Sequence, residues 1–304
     1  MRLTKAWIGA LRLRTLPLSL SGIIVDSAMA YYYGGWNFQI FILAISTTVL
    51  FQILSNLAND LGDSQKGTDN DQRVGPTRAI QSGLISQRSM KNAVVLVTVL
   101  ALASAFGLIY ISSDLISHSL IWIYLVLTGL SIVAAILYTV GKSAYGYYGF
   151  GDLMVFLFFG CLSVLGVFML YGMQFEIITI MPAFTIGLWS VAVLNLNNLR
   201  DMVNDKASSK RTIVVQLGST RAKYYHYSLI IFGLAIWTTL NSVYIYLNDN
   251  WIFLIGIFPA LFLYPHLKKV FEIEDPSMYD PELKKVALIT FSSSILFATS
   301  LFLV

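Results

Sequence analysis

Long apolar runs separated by short polar connections dominate the pattern of this 304-residue chain. Most runs reach the roughly 20 residues that an α-helix needs to cross a bilayer. The eighth run is short, and we expect Pro259 and Pro265 to interrupt or end it. The pattern predicts nine membrane spans, at residues 16–35, 37–58, 92–112, 118–140, 152–170, 176–198, 225–247, 250–266 and 285–304.

The composition is that of a membrane protein. Hydrophobic residues make up 57% of the chain and charged residues only 12%, whereas a soluble domain carries about 25% charged residues. The short alternation typical of a membrane β-barrel is absent. We therefore expect a single all-α domain over residues 1–304, a polytopic bundle of nine transmembrane helices with two long cytoplasmic Asp-rich loops. Nothing in the sequence indicates a nucleic-acid partner, and it carries no prediction of oligomeric state.

The distribution of positive charge orients the nine spans. If the N-terminus is inside, the inner loops are residues 59–91, 141–151, 199–224 and 267–284. All 20 Lys and Arg residues then lie near the N-terminus, in these loops or at the adjoining helix ends. Because basic residues of short loops stay in the cytoplasm, the sequence predicts a multi-pass membrane protein of this orientation. Its N-terminus and both Asp-rich loops are expected to be cytoplasmic.

Residues 1–15 differ from the spans that follow. Apolar side chains such as Trp7 and Leu11 are interspersed with basic ones such as Arg12 and Arg14. This pattern is typical of an amphipathic segment that lies in the membrane interface.

Two clusters of Asn and Asp begin the two longest inner loops. The first follows an apolar run directly and contains Asn56, Asn59, Asp60, Asp63, Asp69 and Asp71. The second lies about 140 residues later and contains Asn198, Asp201 and Asp205. Spacings of three and four place most of these side chains on one helix face. Since both clusters are predicted on the same side of the membrane, we expect them to face one cavity.

The two clusters predict a particular chemistry. Carboxylate and amide oxygens without paired His or Cys suit Mg²⁺ better than zinc or copper. Magnesium in such sites is usually completed by water and by substrate phosphates. A diphosphate with an apolar tail would place its head at the clusters and its tail between the helices. Loss of the diphosphate would leave an allylic cation, which aromatic side chains can stabilise.

Basic residues near the clusters are candidates for binding the phosphate oxygens. They are Lys66, Arg73, Arg78, Lys210 and Arg211, with Lys142 and Tyr138 one helical turn apart at the inner end of the fourth span. Each basic residue has a simpler interpretation, because inner loops need positive charge for orientation.

Two interpretations of other classes compete with this one. The acids of a cation-coupled transporter usually lie near the middle of the membrane at broken helices, whereas these acids lie at helix ends. A non-catalytic membrane scaffold leaves the paired Asp clusters without a purpose.

Several stretches resemble intramembrane aromatic prenyltransferases of the UbiA superfamily. The segments N-D-L-G-D-S-Q-K-G-T-D at 59–69 and D-M-V-N-D at 201–205 resemble its two Asp-rich motifs. The resemblance is nearest to the branch that acts on 1,4-dihydroxy-2-naphthoate. Supporting stretches are W-I-G-A-L-R-L-R-T-L-P-L-S at 7–19, R-V-G-P-T-R-A-I-Q-S-G at 73–83, Y-G-Y-Y-G-F-G-D at 145–152 and N-N-L-R-D at 197–201.

The resemblance implies a nine-helix bundle and an Mg²⁺-dependent reaction between a polyprenyl diphosphate and 1,4-dihydroxy-2-naphthoate. The expected products are demethylmenaquinone, CO₂ and diphosphate, within menaquinone biosynthesis at the plasma (inner) membrane of a bacterium. The implied Mg²⁺ ligands are Asp60, Asp63, Asp201 and Asp205. The implied diphosphate-binding residues are Asn59, Arg78, Lys142, Asn198 and Lys210. Asp69 and Tyr138 are candidates for assisting the acceptor hydroxyl.

One departure from the superfamily pattern falls in the first motif. Gly67 occupies the position where an Asp is commoner, and Asp69 follows two residues later. Whether Asp69 replaces the missing ligand stays open at this point, as does the length of the prenyl chain. Other acceptors remain alternatives, namely 4-hydroxybenzoate, homogentisate and haem.

Overall fold

The computed structural model describes residues 2–70, 73–142 and 144–304. Asp71 of the first cluster lies outside these residues. Across the described chain, nine helices are long and apolar enough to cross a membrane, which confirms the predicted bundle. The helices are α1 (Arg2–Leu11), α2 (Leu16–Tyr32), α3 (Phe38–Lys66), α4 (Gln87–Ser112), α5 (His118–Leu137), α6 (Gly151–Leu170), α7 (Ile180–Ala207), α8 (Ile213–Leu217), α9 (Ser219–Asn248), α10 (Trp251–Glu272) and α11 (Tyr279–Phe302).

Two helices extend further on the predicted inner side than their apolar runs. Helix α3 continues from the predicted end at residue 58 to Lys66, and α7 continues from residue 198 to Ala207. Hydropathy ends a span at the first polar residues, whereas the helix continues while its polar side chains find buried partners. The Asp motifs are therefore the last turns of two helices, and the loops after them are shorter than predicted.

The two prolines of α10 do not end it. Pro259 lies in a tighter 3₁₀ stretch, Phe258–Phe262, and Pro265 lies in the first turn of the segment Leu263–Glu272. A proline is tolerated in a first turn because its missing N–H has no helical acceptor there. The expected interruption is therefore confirmed at Pro259, where the 3₁₀ stretch lies. The predicted end at residue 266 was wrong, because the helix continues to Glu272.

The N-terminal helix α1 packs across the inner part of the bundle. Trp7 and Leu11 contact a small core cluster formed by α3 and α4, and Asn56 Nδ2 donates to the carbonyl oxygen of Leu11 at 3.0 Å. The chain then turns sharply at Arg12, whose φ of 49° lies in the left-handed region. This turn separates the amphipathic helix from α2 and directs Arg12 towards the end of α3.

The C-terminal helices form the tightly packed part of the bundle. Trp189 of α7 lies 6.1 Å from Trp237 of α9, and Trp237 lies 5.3 Å from Phe297 of α11, measured between ring centroids. All three aromatic side chains are fully buried. Contacts of this kind stabilise a bundle through packing, since helices in lipid gain no hydrophobic burial from each other.

Helices α6 and α7 meet at glycines. A Cβ atom at Gly160 would lie 2.5 Å from the carbonyl oxygen of Ala183 and 2.9 Å from Cα of Gly187. Small residues allow such close approach of two helix backbones in a membrane. The contact fixes α6, which forms one wall of the large cavity described below.

We predict that Gly160→Val lowers the thermal stability of the protein, because the added side chain meets backbone atoms that cannot move aside. Overpacking of this kind costs about 1–3 kcal/mol. The measurement is the midpoint of thermal unfolding in detergent micelles. Gly129→Val is the matched control, because a Cβ there has no neighbour within 4 Å. Equal midpoints for the two variants would contradict the close contact.

Candidate functional site

A cavity of about 400 Å³ lies between α2, α3, α4, α5, α6 and α7. Its inner end is polar and its remaining walls are mostly apolar. The polar lining residues at the inner end are Arg12, Arg14, Asn56, Asn59, Asp63, Arg78, Tyr138, Asn198 and Lys210. The cavity therefore has a charged head and an apolar body, as an amphiphilic ligand requires.

Asp60 of the first motif is buried beneath two arginines. Arg12 donates to Asp60 Oδ1, and Arg78 Nε lies 3.6 Å from the same oxygen. The pKa of Arg78 is lowered to about 9, first by burial and then by the neighbouring guanidinium groups of Arg12 and Arg73. Arg12 and Arg78 both line the head of the cavity, which makes this end attractive to an anion.

Asp63 is held by Tyr147, a residue of the short segment before α6. Tyr147 Oη donates to Asp63 Oδ1 at 2.8 Å and lies 2.6 Å from Thr68 Oγ1. Lys66 Nζ and Lys210 Nζ lie 3.9 Å and 5.6 Å from the centre of its ring. The hydroxyl of Tyr147 therefore contacts the first motif directly. Its ring makes cation–π contacts with one lysine from each motif region.

Gly67 ends helix α3 in a left-handed conformation, with φ of 70°. Glycine adopts this conformation without strain, and the chain can reverse immediately after the helix. The reversal brings Asp69 back to the basic residues, where its Oδ1 lies 3.6 Å from Arg73 Nε and 3.7 Å from Arg78 Nε. Arg78 also contacts Asp60, so its guanidinium group bridges Asp60 and Asp69. The turn at Gly67 makes this arrangement possible.

Burial is the main cause that raises the pKa of Asp69 to about 6, and the Arg78 guanidinium acts against it. A pKa near neutrality is the property that a general base requires.

Asp201 of the second motif is bound to two arginines. Arg200 donates to Asp201 Oδ2 at 2.7 Å, and Arg73 Nη2 lies 3.4 Å from the same oxygen. Arg200 also donates to Asp280 at the start of α11. Since Arg73 follows the first motif in sequence, its contact with Asp201 joins the two motif regions.

Asp205 pairs with Lys210, whose Nζ lies 3.6 Å from Asp205 Oδ1. Burial lowers the pKa of Lys210, but the carboxylates of Asp63 and Asp205 outweigh burial and the pKa is raised. Lys210 is therefore a fixed positive charge between the motifs. A second link is neutral, since Asn204 Nδ2 donates to the carbonyl oxygen of Thr68 at 2.8 Å.

The two predicted asparagines also lie at the head of the cavity. Asn59 accepts a hydrogen bond from Thr139 Oγ1 at 3.2 Å, and Asn198 is buried in the cavity wall. Lys142, in contrast, is exposed and does not line the cavity. The structure thus brings Lys210 and Arg78 together with both asparagines and leaves Lys142 apart.

Tyr138 lies at the inner end of α5 and lines the cavity. Burial is the main cause that raises its pKa to about 12, and the nearby Lys210 acts in the opposite direction. Its hydroxyl stays protonated at neutral pH, so Tyr138 is suited to donate a hydrogen bond and poorly suited to accept a proton.

The oxygen donors of both motifs fit a hard divalent cation. Both oxygens of Asp69 and Oδ2 of Asp205 are buried without a hydrogen-bond partner. In the part of the chain that the structure describes, however, no three His, Cys, Asp or Glu side chains are close enough together to hold a metal ion. Four of the five predicted carboxylates are paired with Arg or Lys instead, namely Asp60, Asp69, Asp201 and Asp205. The fifth, Asp63, accepts a hydrogen bond from Tyr147 and is the one of the five that lines the cavity.

Three contacts at the candidate site went beyond the sequence prediction. They involve Arg12 on Asp60, Tyr147 on Asp63 and Arg73 on Asp201. Arg12 and Tyr147 belong to stretches that resemble the family, but only the fold shows which side chain each one meets.

Known proteins similar to this chain were found by sequence and by structure. The sequence profile of the UbiA prenyltransferase family matches residues 19–279. The chain is 39% identical to the 1,4-dihydroxy-2-naphthoate octaprenyltransferase of Escherichia coli (strain K12), over 99% of this chain and 96% of that protein. It is 35% identical to the enzyme of the same name from Mycobacterium tuberculosis (strain ATCC 25618 / H37Rv), over 74% of each chain.

The fold is similar to those of two solved archaeal structures. One is the apo structure of a UbiA homolog from Aeropyrum pernix K1, with a TM-score of 0.67, 14% identity, and coverage of 96% of this chain and 98% of that one. The other is a UbiA homolog from Archaeoglobus fulgidus bound to DMAPP and Mg²⁺, with a TM-score of 0.59, 16% identity, and coverage of 94% and 98%.

We predict that Tyr147→Phe destabilises the protein by about 1–3 kcal/mol, because it leaves a buried oxygen of Asp63 without its donor. Thermal unfolding in detergent is the measurement. Tyr148→Phe is the control, because Tyr148 is the next residue and is 60% exposed. If Tyr147→Phe unfolds at the same temperature as Tyr148→Phe, the hydroxyl does not hold Asp63.

Proposed function

The chain belongs to the UbiA prenyltransferase family, and we propose that it transfers a polyprenyl group from polyprenyl diphosphate to 1,4-dihydroxy-2-naphthoate. The observation that carries this proposal is a cavity with apolar walls along its body, whose head is lined by Asn59 and Asp63 of the first motif, by Asn198 of the second, and by the cations Arg12, Arg78 and Lys210. The similarity to naphthoate octaprenyltransferases over nearly the whole chain supports the choice of acceptor. A transporter is disfavoured because the acids lie in the last turns of α3 and α7 rather than at broken helices in mid-membrane.

The diphosphate binds at the head of the cavity. Arg78 and Lys210 provide positive charge there, and both are already surrounded by carboxylates. An incoming diphosphate competes with those carboxylates for the same guanidinium and ammonium groups, since phosphate oxygens accept the same charge-assisted hydrogen bonds. Lys142 is placed too far towards the exposed surface to share this role.

Mg²⁺ is the cation that this donor set suits. Asp60, Asp63, Asp201 and Asp205 are the residues that would hold it, with Asn59 and Asn198 beside them. When bound, the metal neutralises negative charge on the departing diphosphate. The Archaeoglobus fulgidus homolog bound to DMAPP and Mg²⁺ supports this assignment through its similar fold.

The reaction breaks the bond between the allylic carbon and the diphosphate oxygen, which leaves with the electron pair. The naphthoate ring carbon that bears the carboxylate then bonds to the allylic carbon, and CO₂ leaves from the same ring carbon. Tyr138 donates a hydrogen bond at the head of the cavity, and Asp69 has the pKa suited to a proton acceptor. The atom balance gives the quinol, which is the two-electron reduced form of demethylmenaquinone.

The head of the cavity faces the cytoplasm in this proposal. The basic residues that orient the chain lie at the same ends of the helices as the two motifs. Diphosphate is thus taken from and returned to the aqueous cytoplasm, while the prenyl tail stays within the bilayer of a bacterial inner membrane.

The experiment that tests the function supplies membranes containing the protein with a labelled prenyl diphosphate and one acceptor at a time. The acceptors are 1,4-dihydroxy-2-naphthoate, 4-hydroxybenzoate, homogentisate and haem. We expect a prenylated product from the naphthoate alone. Labelling of 4-hydroxybenzoate alone would overturn the acceptor assignment, and no labelled product with any acceptor would overturn prenyl transfer.

Neutralising one carboxylate in either motif should slow the reaction strongly. We predict that Asp63→Asn and Asp201→Asn each lower the rate of prenyl transfer by on the order of 10²-fold or more, because each removes a carboxylate that would hold the Mg²⁺ ion against the leaving diphosphate. Chelation of divalent ions should abolish the activity, and added Mg²⁺ should restore it. Asp114→Asn, at an exposed position on the opposite side, is the control. A magnesium-dependent rate that survives either motif variant would refute the assignment.

Two lysines give a matched comparison of positions. Lys210→Ala should lower kcat/KM by on the order of 10²-fold, because Lys210 lies buried at the cavity head between two carboxylates. Lys142→Ala should change kcat/KM by less than about threefold, because exposed charges interact weakly. Steady-state kinetics with varied prenyl diphosphate measures both. The placement of the diphosphate is wrong if Lys142→Ala is the more damaging change.

A further inference from the structure

A groove on the outside of the bundle, between α10 and α11, has no role in the proposed reaction. Its volume is about 620 Å³, which is within the range of about 300–1,000 Å³ that ligand sites in proteins occupy. Phe258, Phe262 and Leu288 lie on its walls and are exposed. The part of the chain that the structure describes therefore leaves this apolar face to the surrounding lipid.

The backbone of α10 shapes one wall of the groove. The stretch Phe258–Phe262 is wound as a 3₁₀ helix, in which side chains three residues apart lie directly above one another. Pro259, Phe262 and Pro265 are spaced by three residues, and all of them line the groove. Such a straight row leaves a channel beside α11, whereas the inclined ridges of two regular α-helices would interlock.

The groove has the length of one lipid leaflet. On α11 its lining runs from Lys285 to Leu296, and the eleven residue steps between them rise about 16 Å. The hydrocarbon core of a bilayer is about 30 Å thick, so one leaflet contributes about 15 Å. The only hydroxyl group in this part of the lining is that of Ser292, which donates to the carbonyl oxygen of Leu288 at 2.8 Å. An acyl chain of one leaflet thus fits along the groove.

A fixed positive charge lies at one end of the groove. This is the end on the side of the two Asp motifs, where Lys285 lines the groove with a side chain that is 41% exposed. Lys285 Nζ donates to Glu282 Oε1 at 2.7 Å, and Glu282 Oε2 lies 2.6 Å from His266 Nδ1. Glu282 therefore holds the ammonium group at the mouth of the groove and takes one of its three donors.

Helix α10 adds cations at the same end. Lys268 and Lys269 follow Pro265 by three and four residues, so they lie on the same helix face about one turn beyond the groove. Both lysines are exposed, and Glu272 is the next charged residue of α10. Basic pockets between transmembrane helices on the cytoplasmic side bind the head groups of anionic lipids.

We propose that this groove binds one anionic phospholipid from the leaflet on the motif side. An acyl chain lies along α10 and α11, and the phosphate accepts charge-assisted hydrogen bonds from Lys285 and Lys268. The length of the groove fits one leaflet, its walls are apolar, and its cations lie at the level of the head groups. An anionic lipid is favoured over a zwitterionic one, because a zwitterionic head group brings its own cation close to the lysines. Binding of this lipid is independent of the proposed prenyl transfer.

The test compares two phospholipids with the same acyl chains, phosphatidylglycerol and phosphatidylcholine. The purified protein is released from micelles that contain one of them, and native mass spectrometry measures the dissociation constant of the first lipid that stays bound. For the wild type we expect phosphatidylglycerol to bind on the order of tenfold more tightly. Each lysine near a membrane surface favours an anionic lipid by about fivefold, and two lysines face the phosphate.

Three variants separate the charge from the groove. Lys285→Gln should reduce the preference for phosphatidylglycerol by about fivefold. Lys91→Gln is the matched control, because Lys91 is an exposed lysine near the start of α4, does not line the groove and should leave the preference unchanged. Ser292→Phe fills the groove without a change of charge and should weaken the binding of both lipids by on the order of tenfold. The unfolding midpoint in lipid-free detergent measures intact folding in each variant.

Equal affinities of the wild type for the two lipids would overturn the proposed lipid site. An equal loss of preference in Lys285→Gln and Lys91→Gln would also overturn it, because the charges would then act only through the general surface potential. If Lys285→Gln fails to fold, Ser292→Phe decides, since undiminished lipid binding in that variant excludes the groove. A dimer that Ser292→Phe dissociates and phosphatidylglycerol leaves intact would show instead that a second copy of the chain covers the groove.

Discussion

The rest of the structure depends on one electrostatic constraint, the burial of carboxylates from two helices at one end of an apolar cavity. Such groups would repel each other and would be costly to bury alone. Arg12 and Arg78 cover Asp60, Arg73 and Arg200 cover Asp201, and Lys210 covers Asp205. In the proposed function, the same cations that stabilise the buried carboxylates also bind the diphosphate. The ion pairs that hold the site together are thus the ones that a bound diphosphate would replace.

This constraint explains features that lie outside the motifs. The turn at Arg12 brings an interfacial helix over the end of α3. Gly67 allows the chain to reverse, so that Asp69 meets the arginines that follow it. The hydroxyl of Tyr147 donates a hydrogen bond to Asp63, and its ring makes cation–π contacts with two lysines. Each element supplies a partner that the last turns of α3 and α7 lack within their own helices.

Much of this could be predicted from the sequence. Hydropathy and the one-sided positive charge predict nine spans, and the spacing of Asn and Asp predicts two facing helix ends. The lengths of α3 and α7 could not be predicted, because hydropathy does not register polar residues that are buried by tertiary partners. Lys142 and Lys210 could not be separated either, since both are basic residues near a helix end and only the fold makes one exposed and the other buried. Family membership was indicated by the motifs and is confirmed by relatives that match nearly the whole chain.

The central claim is that the two motifs form one site for a metal and a diphosphate. The most direct test counts the Mn²⁺ ions that the purified protein binds, by electron paramagnetic resonance, with and without a non-reactive prenyl thiodiphosphate. We expect the analogue to increase Mn²⁺ binding in the wild type, and we expect this increase to be lost when either Asp60→Asn or Asp205→Asn is introduced alone. An undiminished increase in either variant would show that one motif binds the metal and the diphosphate by itself, and would contradict a site shared by the two motifs.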